Sequence, residues 1–552
     1  MQYHGSRTPS KKSTSFLSGV FLLTLSAVLV KLTGLATKIP MLHLLGAQGM
    51  GCYNTAYEVY AALFVLSSAG LPVALSILIS RAESGRQRIF GCAMYLFATL
   101  GSIGCLGLWW GADEIARRIG NTGAGASIRA LAPAVLFVCL ASGVRGYYQG
   151  LGDMAPTAIS QVIEAAGKPV FGLLFAHLSR RAGAPIFRVA AAGAWGLSVG
   201  SFLALLYLIA RMSADFARTS RTRKDGIGEQ VRGVWPAQPV LRPLCAIAIP
   251  ITLGACITPL TRLLDMTVIL RRLQGGGCTE EMAGSLYGIY STLAIPLYSL
   301  LPMMIGSLAL PLVPGITAAR GRGDLAAERD IVGTSLRLTC LLGVPASMGL
   351  SVFAAPILDL LFGGADTNAA VLQATPLLQV LGISVLGGCL ITVLGAMLQA
   401  YGCPRVPLWA MLSGSAVKLI SAWLLMGIPR VGMLGAPIST FLCHVTVLAI
   451  ETAVLAKHIP PRVLPRGFLG ATLFSALCAV SGAWAVWQVI LRCFGNIRVL
   501  ILPAVALCAA LYLCLTLRLG ALRREDVVSL SHGARLWALL CRLKLVRSGE
   551  KL

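Results

Sequence analysis

Charged side chains are scarce in this chain. Asp, Glu, Lys and Arg make up 12% of its 552 residues, whereas 56% are hydrophobic. A soluble domain carries about a quarter charged residues because its surface must face water, so the deficit excludes a soluble globular protein. The apolar residues fall in runs of about 20, the length that an α-helix needs to cross a bilayer. The sequence therefore predicts an all-α, polytopic membrane protein.

Sequence motifs of catalysis and metal binding are also lacking. The chain has no Walker lysine loop and no HExxH zinc motif, and none of its 16 cysteines forms a CxxC pair. Free cysteines inside apolar runs behave as small hydrophobic side chains. The histidines are scattered without ligand spacing. We therefore expect no catalytic residue, no metal and no cofactor, and we predict that the chain is not an enzyme.

Acidic residues are few, and the 46 basic residues give the chain a formal charge of +25. The cations lie mostly between the apolar runs, as in the cytoplasmic loops of membrane proteins. There they also meet anionic lipid headgroups, so the charge does not indicate a nucleic-acid partner. With the basic tail of residues 1–14 inside the cell, the loops on that side hold roughly twice the cations of the opposite loops. This excess predicts that both termini are cytoplasmic.

About fourteen apolar stretches are long enough to be membrane spans. They lie at residues 15–37, 53–79, 89–110, 128–150, 157–178, 188–210, 243–270, 285–316, 331–354, 372–400, 405–427, 433–456, 467–491 and 497–519. The polar connection 213–242 predicts a cytoplasmic linker between an N-lobe, 15–212, and a C-lobe, 243–456. The spans in 457–519 look appended, and 520–552 form a cytoplasmic amphipathic tail suited to the inner leaflet.

An internal repeat supports the division into two lobes of six spans each. Aligning Gln149 with Gln399 also aligns Gly152 with Gly402, and Lys168 with Lys418, without a gap. The repeats lie six spans apart, so both are inserted in the same sense. Transporters often contain such parallel repeats, with the substrate site at their interface.

Charged residues inside the apolar runs are the candidate functional residues. A Lys or Arg at the centre of a bilayer costs about 2.5–3.5 kcal/mol, so it usually faces a bundle interior or a wet cavity. The candidates for substrate binding are Lys31, Gly34, Lys38, Lys168, Arg262 and Lys418, and the candidates for charge balance or coupling are Glu58, Glu164 and Asp265. This excess of cations predicts a cavity for an anionic substrate, and phosphates are the usual partners of Lys and Arg.

Several of these residues have an alternative interpretation. Lys38, like Arg145 near the end of the fourth span, is placed where it could extend to the headgroups. Glu164 and Lys168 are four residues apart and could form an ion pair within one helix. Arg262 could pair in the same way with Asp265, three residues later. Lys31 has no acid within its own helix, which favours a functional role.

The run KLTGLATKIPMLHLLGAQGMGCYNTAYEVYAALFVLSSAGLPVALSILIS, residues 31–80, resembles the opening of the stage V sporulation protein B group of polysaccharide transporters. The segment DMTVILRRLQ and the stretch from Gln149 to Lys168 resemble the same group. It belongs to the multidrug/oligosaccharidyl-lipid/polysaccharide flippase superfamily. The resemblance implies two six-helix lobes in a V around a central cavity and alternating access. The two extra C-terminal helices resemble those of lipid II flippases.

In the lipid II flippase branch, basic residues flank a glycine on the first helix and face the cavity. Lys31, Gly34 and Lys38 match that pattern, with lysines and slightly different spacing. The resemblance implies that Lys31, Lys38 and Arg262 contact a pyrophosphate. It also implies that Glu58 or Asp265 balances the charge or couples the conformational change.

The leading hypothesis is a flippase for an undecaprenyl-pyrophosphate-linked saccharide in the bacterial cytoplasmic membrane. It would act as a monomer among membrane lipids, with H⁺ or Na⁺ as a coupling ion. The rival transporter hypothesis is a cation-coupled multidrug extruder of the same superfamily, which predicts mostly acids in the N-lobe cavity. A membrane glycosyltransferase is the third alternative, and it would need a large extracytoplasmic loop that the span pattern does not provide.

Overall fold

The computed structural model describes the backbone of residues 11–82, 85–224, 238–309, 311–364, 366–458, 467–494 and 498–522. Within these ranges, the side chains of residues 11–32, 35, 67, 218–224, 238–240, 307–308 and 494 lie outside the description. Three predictions therefore fall largely outside the described residues: the basic N-terminal tail, the interior of the cytoplasmic linker and the amphipathic C-terminal tail. Throughout the described ranges, the regular structure is helical.

Contacts divide the chain into two compact units, one formed by Met1–Arg271 and Thr279–Gly288 and the other by Arg272–Cys278 and Ile289–Leu552. The seventh helix up to Arg271 is thus grouped with the first unit, whereas the sequence placed it with the later spans. The lobe boundaries read from the sequence remain a prediction.

The first unit is built mostly from long helices. Its helices are α1 (Lys11–Ser68), α2 (Gly70–Arg81), α3 (Arg86–Ile119), α4 (Gly125–Gly150), α5 (Ala155–Arg181), α6 (Ile186–Lys224), most of α7 (Gln238–Gly275) and most of α8 (Glu280–Ile289). Helix α1 contains a kink at Gly46, whose φ of 64° lies in the left-handed region that favours glycine. The kink separates the segment that carries Lys38 from the one that carries Glu58.

The second unit has a similar construction, with two further helices at its C-terminal end. Its helices are α9 (Ile295–Ala309), α10 (Leu312–Gly321), α11 (Leu325–Val352), α12 (Ala354–Phe362), α13 (Asn368–Ala400), α14 (Arg405–Leu425), α15 (Gly435–Leu455), α16 (Phe468–Phe494) and α17 (Ile501–Arg518). A π-helical turn, Tyr290–Ala294, precedes Pro296. Pro302 lies within α9.

Thirteen helical segments in the described part of the chain are long and apolar enough to cross a membrane. They correspond one by one to the second to fourteenth spans of the sequence analysis. The first predicted span, 15–37, lies in α1, mostly where side chains are not described. The helices confirm an all-α, multi-pass membrane protein.

The sequence repeat has a counterpart in the backbone. Gly152 and Gly402 both follow the end of a long helix and have nearly equal φ values, 82° and 81°. Their amides donate equivalent hydrogen bonds, to the carbonyl of Gln149 at 3.0 Å and of Gln399 at 3.1 Å. Aligned residues of the two units therefore form the same left-handed helix-ending turn.

Candidate functional site

Helices α5 and α6 position Lys168 through backbone contact between glycines. A Cβ atom at Gly196 would lie 2.2 Å from the amide nitrogen of Gly172, and one at Gly167 would lie 2.7 Å from Cα of Gly200. Any larger side chain would force the two helices apart. Small residues four apart permit this close approach in membrane helices, and it fixes the part of α5 that carries Lys168.

Two tyrosines of α1 hold the ammonium group of Lys168. Its Nζ lies 4.2 Å from the ring centroid of Tyr57, within the range of a cation–π interaction. The same side chain donates a hydrogen bond to Tyr53, which is 7% exposed. Neither tyrosine was among the residues predicted from the sequence. Their signal is a YxxxY pair in the span that also carries Glu58.

The cluster around Lys38 is mainly cationic. The ammonium group of Lys38 lies within electrostatic range of Lys168, Arg262 and Glu58. Lys38, Lys168 and Glu58 are half-buried, whereas the side chain of Arg262 is exposed. We call Lys38, Lys168 and Arg262 the cationic cluster. It brings together residues of α1, α5 and α7 that lie up to 224 positions apart in the sequence (262 minus 38).

Glu164 pairs with another helix, not with Lys168. Its Oε2 accepts a hydrogen bond from Nη2 of Arg145 at 2.9 Å, and Ser201 donates to its Oε1 at 3.4 Å. Arg145 also donates from Nε to Ser160 Oγ at 2.9 Å. Arg145 is only 7% exposed, so it does not extend to the headgroups. The sequence offered headgroup contact for Arg145 and pairing with Lys168 for Glu164. The structure shows neither, because the two residues form an ion pair with each other between α4 and α5.

The remaining predicted site residues have separate locations. Lys31 belongs to α1, but its side chain lies outside the described residues. A Cβ atom at Gly34 would meet no described atom within 4 Å, so no described helix packs against that glycine. Asp265 is 6% exposed on α7. Lys418 belongs to the second unit, within electrostatic range of His444. The binding and coupling roles of all these residues remain predictions.

The run Gly196–Gly200, GLSVG, has the G-x-S-x-G spacing of a hydrolase nucleophile motif. That motif requires a sharp turn between a strand and a helix that exposes the serine. Here the run lies in the middle of α6, and Ser198 is 1% exposed. Its hydroxyl donates to the carbonyl oxygen of Ala130 at 2.6 Å. The spacing therefore serves the packing of α6 against its neighbours.

The cationic cluster contains three cations, with Glu58 as the acid within range of Lys38. Like charges repel most strongly where little water screens them, so the arrangement gains stability from an added anion. A phosphate or pyrophosphate supplies several acceptor oxygens to Lys and Arg donors. The site is suited to binding an anionic group within the span of the membrane.

A family comparison agrees with this picture of a polytopic membrane protein. Residues 16–318, more than half of the chain, match the model of the family described as polysaccharide biosynthesis protein. The chain belongs to that family. The resemblance to the stage V sporulation protein B group read from the sequence is thereby confirmed, since that protein is also among the relatives found.

Three proteins of Bacillus subtilis (strain 168) are similar to this member of the family along nearly their whole length. The uncharacterized membrane protein YabM is 28% identical over 94% of this chain and 95% of its own. Stage V sporulation protein B is 24% identical over 93% of this chain and 97% of its own. The lipid II flippase MurJ is 22% identical over 93% of this chain and 97% of its own.

Solved structures share the fold. A structure of the lipid II flippase MurJ in an inward closed conformation matches 90% of this chain and 98% of its own, with a TM-score of 0.65 and 13% identity. An inward-facing multidrug resistance MATE family transporter of the MOP superfamily matches 80% of this chain and all of its own, with a TM-score of 0.63 and 14% identity. At these identities the likeness establishes the fold alone.

Proposed function

We propose that this protein is a flippase that moves a saccharide linked to undecaprenyl pyrophosphate across the cytoplasmic membrane by alternating access. Membership of the polysaccharide biosynthesis protein family supports this proposal, as does similarity to a sporulation protein and a lipid II flippase. The transported lipid would carry either a polysaccharide unit or a peptidoglycan precursor. The protein is a transporter in this proposal, not an enzyme.

The observation that carries the proposal is the cationic cluster of the first unit. Each Lys or Arg at the centre of a membrane costs about 2.5–3.5 kcal/mol, so three such residues facing lipid would together cost roughly 7.5–10.5 kcal/mol. A protein retains such charged residues despite this cost where they serve a function in a wet cavity. A pyrophosphate offsets the repulsion among the cations through charge-assisted hydrogen bonds, which are about twice as strong as neutral ones.

The same cluster argues against export of lipophilic cations. A multidrug extruder of this kind needs acids facing its substrate, and the arrangement around Lys38 has more cations than acids. The MATE transporter similarity supports the extruder only at the level of the fold. A glycosyltransferase remains the less favoured alternative, since the candidate residues form no described nucleophile or acid–base pair.

Other site residues have supporting roles in this proposal. Lys31 and Gly34 extend the binding surface along α1, and Lys418 is a substrate-binding cation of the second unit. Glu58 and Asp265 balance the cations or take part in coupling to H⁺ or Na⁺, while Glu164 balances its ion-pair partner. The protein works as a monomer with both termini in the cytoplasm.

The decisive test is transport in proteoliposomes. A lipid-linked saccharide with a fluorescent sugar is placed in one leaflet, and its movement is followed by quenching from outside. Wild type should flip this lipid and should not transport an ethidium-like cation. Lys38→Ala should reduce the flipping rate at least tenfold. Lys457→Ala is the matched control, since Lys457 is an exposed lysine in the turn after α15.

Two results would contradict the proposal. Transport of the cation without flipping of the lipid would favour the multidrug extruder. Equal flipping rates for Lys38→Ala and wild type would remove the cationic cluster from the transport step.

A further inference from the structure

The second unit contains a buried carboxyl group that the proposed substrate site does not use. Glu451 lies on α15, one turn before the helix ends at Leu455, and it is fully buried at 0% exposure. Neither of its carboxyl oxygens has a hydrogen-bond partner among the described residues. Glu451 was not among the residues predicted from the sequence, although it is an acid inside an apolar run.

The side chain of Glu451 is buried beside a small space on one side. Its helix packs against α13 and α14. A Cβ atom added to Gly395 of α13 would lie 3.7 Å from Oε1 of Glu451 and 3.8 Å from Cβ of Pro407 on α14. These are ordinary van der Waals distances, so the absent side chain of Gly395 leaves about a methyl group of space beside the carboxyl. No described neighbour supplies a compensating charge there.

Titratable and charged groups of the packed helices have other partners or lie elsewhere. Besides Glu451, those on or directly flanking α13, α14 and α15 are Asp366, Cys389, Tyr401, Cys403, Arg405, Lys418, Arg430, Cys443, His444, Lys457 and His458. Tyr401 donates to Glu328 at 2.7 Å, and His444 contacts the hydroxyl of Tyr298 at 3.0 Å. His458 lies two turns beyond Glu451, with its Nδ1 3.0 Å from the carbonyl oxygen of Val454. None of the described contacts of these groups is with Glu451.

Glu328 shows how a buried carboxylate is normally accommodated in this unit. It is 4% exposed, and the hydroxyl of Tyr401 donates to its Oε1. The guanidinium of Arg320 lies over the ring of that tyrosine, 4.8 Å from its centroid, so a positive charge is close to the pair. Glu451 has no comparable donor or cation within the described residues.

A carboxylate in such surroundings is far less stable than the neutral acid, because burial removes the water that stabilises its charge. We propose that Glu451 is a proton-binding site of the second unit, loaded with H⁺ when α13, α14 and α15 pack as in this structure. When these helices separate enough to admit water, the O–H bond breaks, the proton passes to water and the carboxylate remains. If the flippase function proposed above holds, this proton release couples the conformational cycle to the pH gradient.

Infrared spectroscopy of the full-length protein in lipid tests the proton site directly, without any transport assay. Wild type at neutral pH should show the carbonyl stretching band of a protonated carboxylic acid. Glu451→Gln, which mimics the neutral acid in size and polarity, should lose that band. Glu328→Gln is the matched control and should keep it, because Glu328 is a buried acid with a donor.

A second measurement needs no variant. Raising the pH of the wild-type sample should convert the band into carboxylate absorption.

A band that Glu451→Gln leaves at full intensity would overturn the proposal, because it would show that Glu451 is ionised. Conversion of the band by Na⁺ at constant pH would overturn it in favour of a metal cation.

Transport then tests the coupling. In proteoliposomes, an imposed pH gradient should change the flipping rate of wild type and of Glu328→Gln and should leave that of Glu451→Gln unchanged. A response of Glu451→Gln equal to that of wild type would refute the coupling. Absence of flipping by wild type would contradict the proposed function instead, and the infrared result would still decide the proton site.

Discussion

The ion pair between Arg145 and Glu164 gives the sharpest test of how the first unit is held together. Their side chains are 9% and 17% exposed, and Nη2 and Oε2 lie 2.9 Å apart. An exposed pair is worth about 0–1 kcal/mol, whereas removing one partner of a buried pair costs about 3–5 kcal/mol because the other charge stays buried. The low exposure places this pair in the second class.

The size of the effect follows from what each variant leaves behind. Glu164→Leu leaves the cation of Arg145 with Ser160, and Arg145→Met leaves the carboxylate with Ser201. Hydrogen bonds between membrane helices are worth only about 0.6 kcal/mol on average, because the unfolded state within the membrane also finds partners. We therefore expect each single variant to lose about 2–3 kcal/mol, near the lower limit for a buried pair.

The double variant Arg145→Met with Glu164→Leu is the informative comparison. Replacing a buried ion pair by apolar side chains is often neutral or stabilising, so it should lie within about 1 kcal/mol of wild type. Unfolding in mixed micelles, followed by tryptophan fluorescence, gives the free energy for all four proteins. The resulting coupling energy should be about 4–6 kcal/mol, because the two single losses of about 2–3 kcal/mol each are absent from the double variant. If the two single losses simply add in the double variant, the ion pair does not stabilise the fold and the reasoning is wrong.

Three further predictions concern transport and packing. Lys31→Ala should abolish complementation of a flippase-depleted strain while the protein still inserts into the membrane, and wild-type growth would remove Lys31 from the site. Tyr57→Phe should flip lipid near the wild-type rate, because the ring that faces Lys168 remains. Tyr57→Leu should slow flipping several-fold. Equal flipping rates of the two variants would show that the cation–π contact has no role in transport. Gly196→Leu should lower the yield of monodisperse protein on gel filtration, because α5 and α6 can no longer approach each other. Gly254→Leu should leave the yield unchanged, since a Cβ atom there meets no described atom within 4 Å. Equal yields of the two variants would contradict the packing of α5 against α6.

Membrane insertion and fold class follow from the sequence because they depend on local composition. A span needs about 20 apolar residues whatever its neighbours are, so the apolar runs alone predicted the thirteen spans that the described residues show. The repeat is also local, since Gly152 and Gly402 end their helices with the same left-handed turn. The individual charges in the spans could likewise be listed from the sequence, because each is conspicuous in an apolar run.

Only the tertiary structure decided which of these charges meet. The sequence offered Lys168 as a partner for Glu164 at one helical turn, but the approach of α4 to α5 places Arg145 against that carboxylate instead. Lys168 then interacts with the tyrosines of α1, and this contact depends on the approach of α5 to α1. The burial of Glu451 beside Gly395 and Pro407 could not be predicted from the sequence either. It depends on the packing of α13 and α14 against α15, and a glycine has no side chain whose chemistry would indicate the contact. Hydropathy acts over one span at a time, whereas ion pairing and burial depend on which helices pack together.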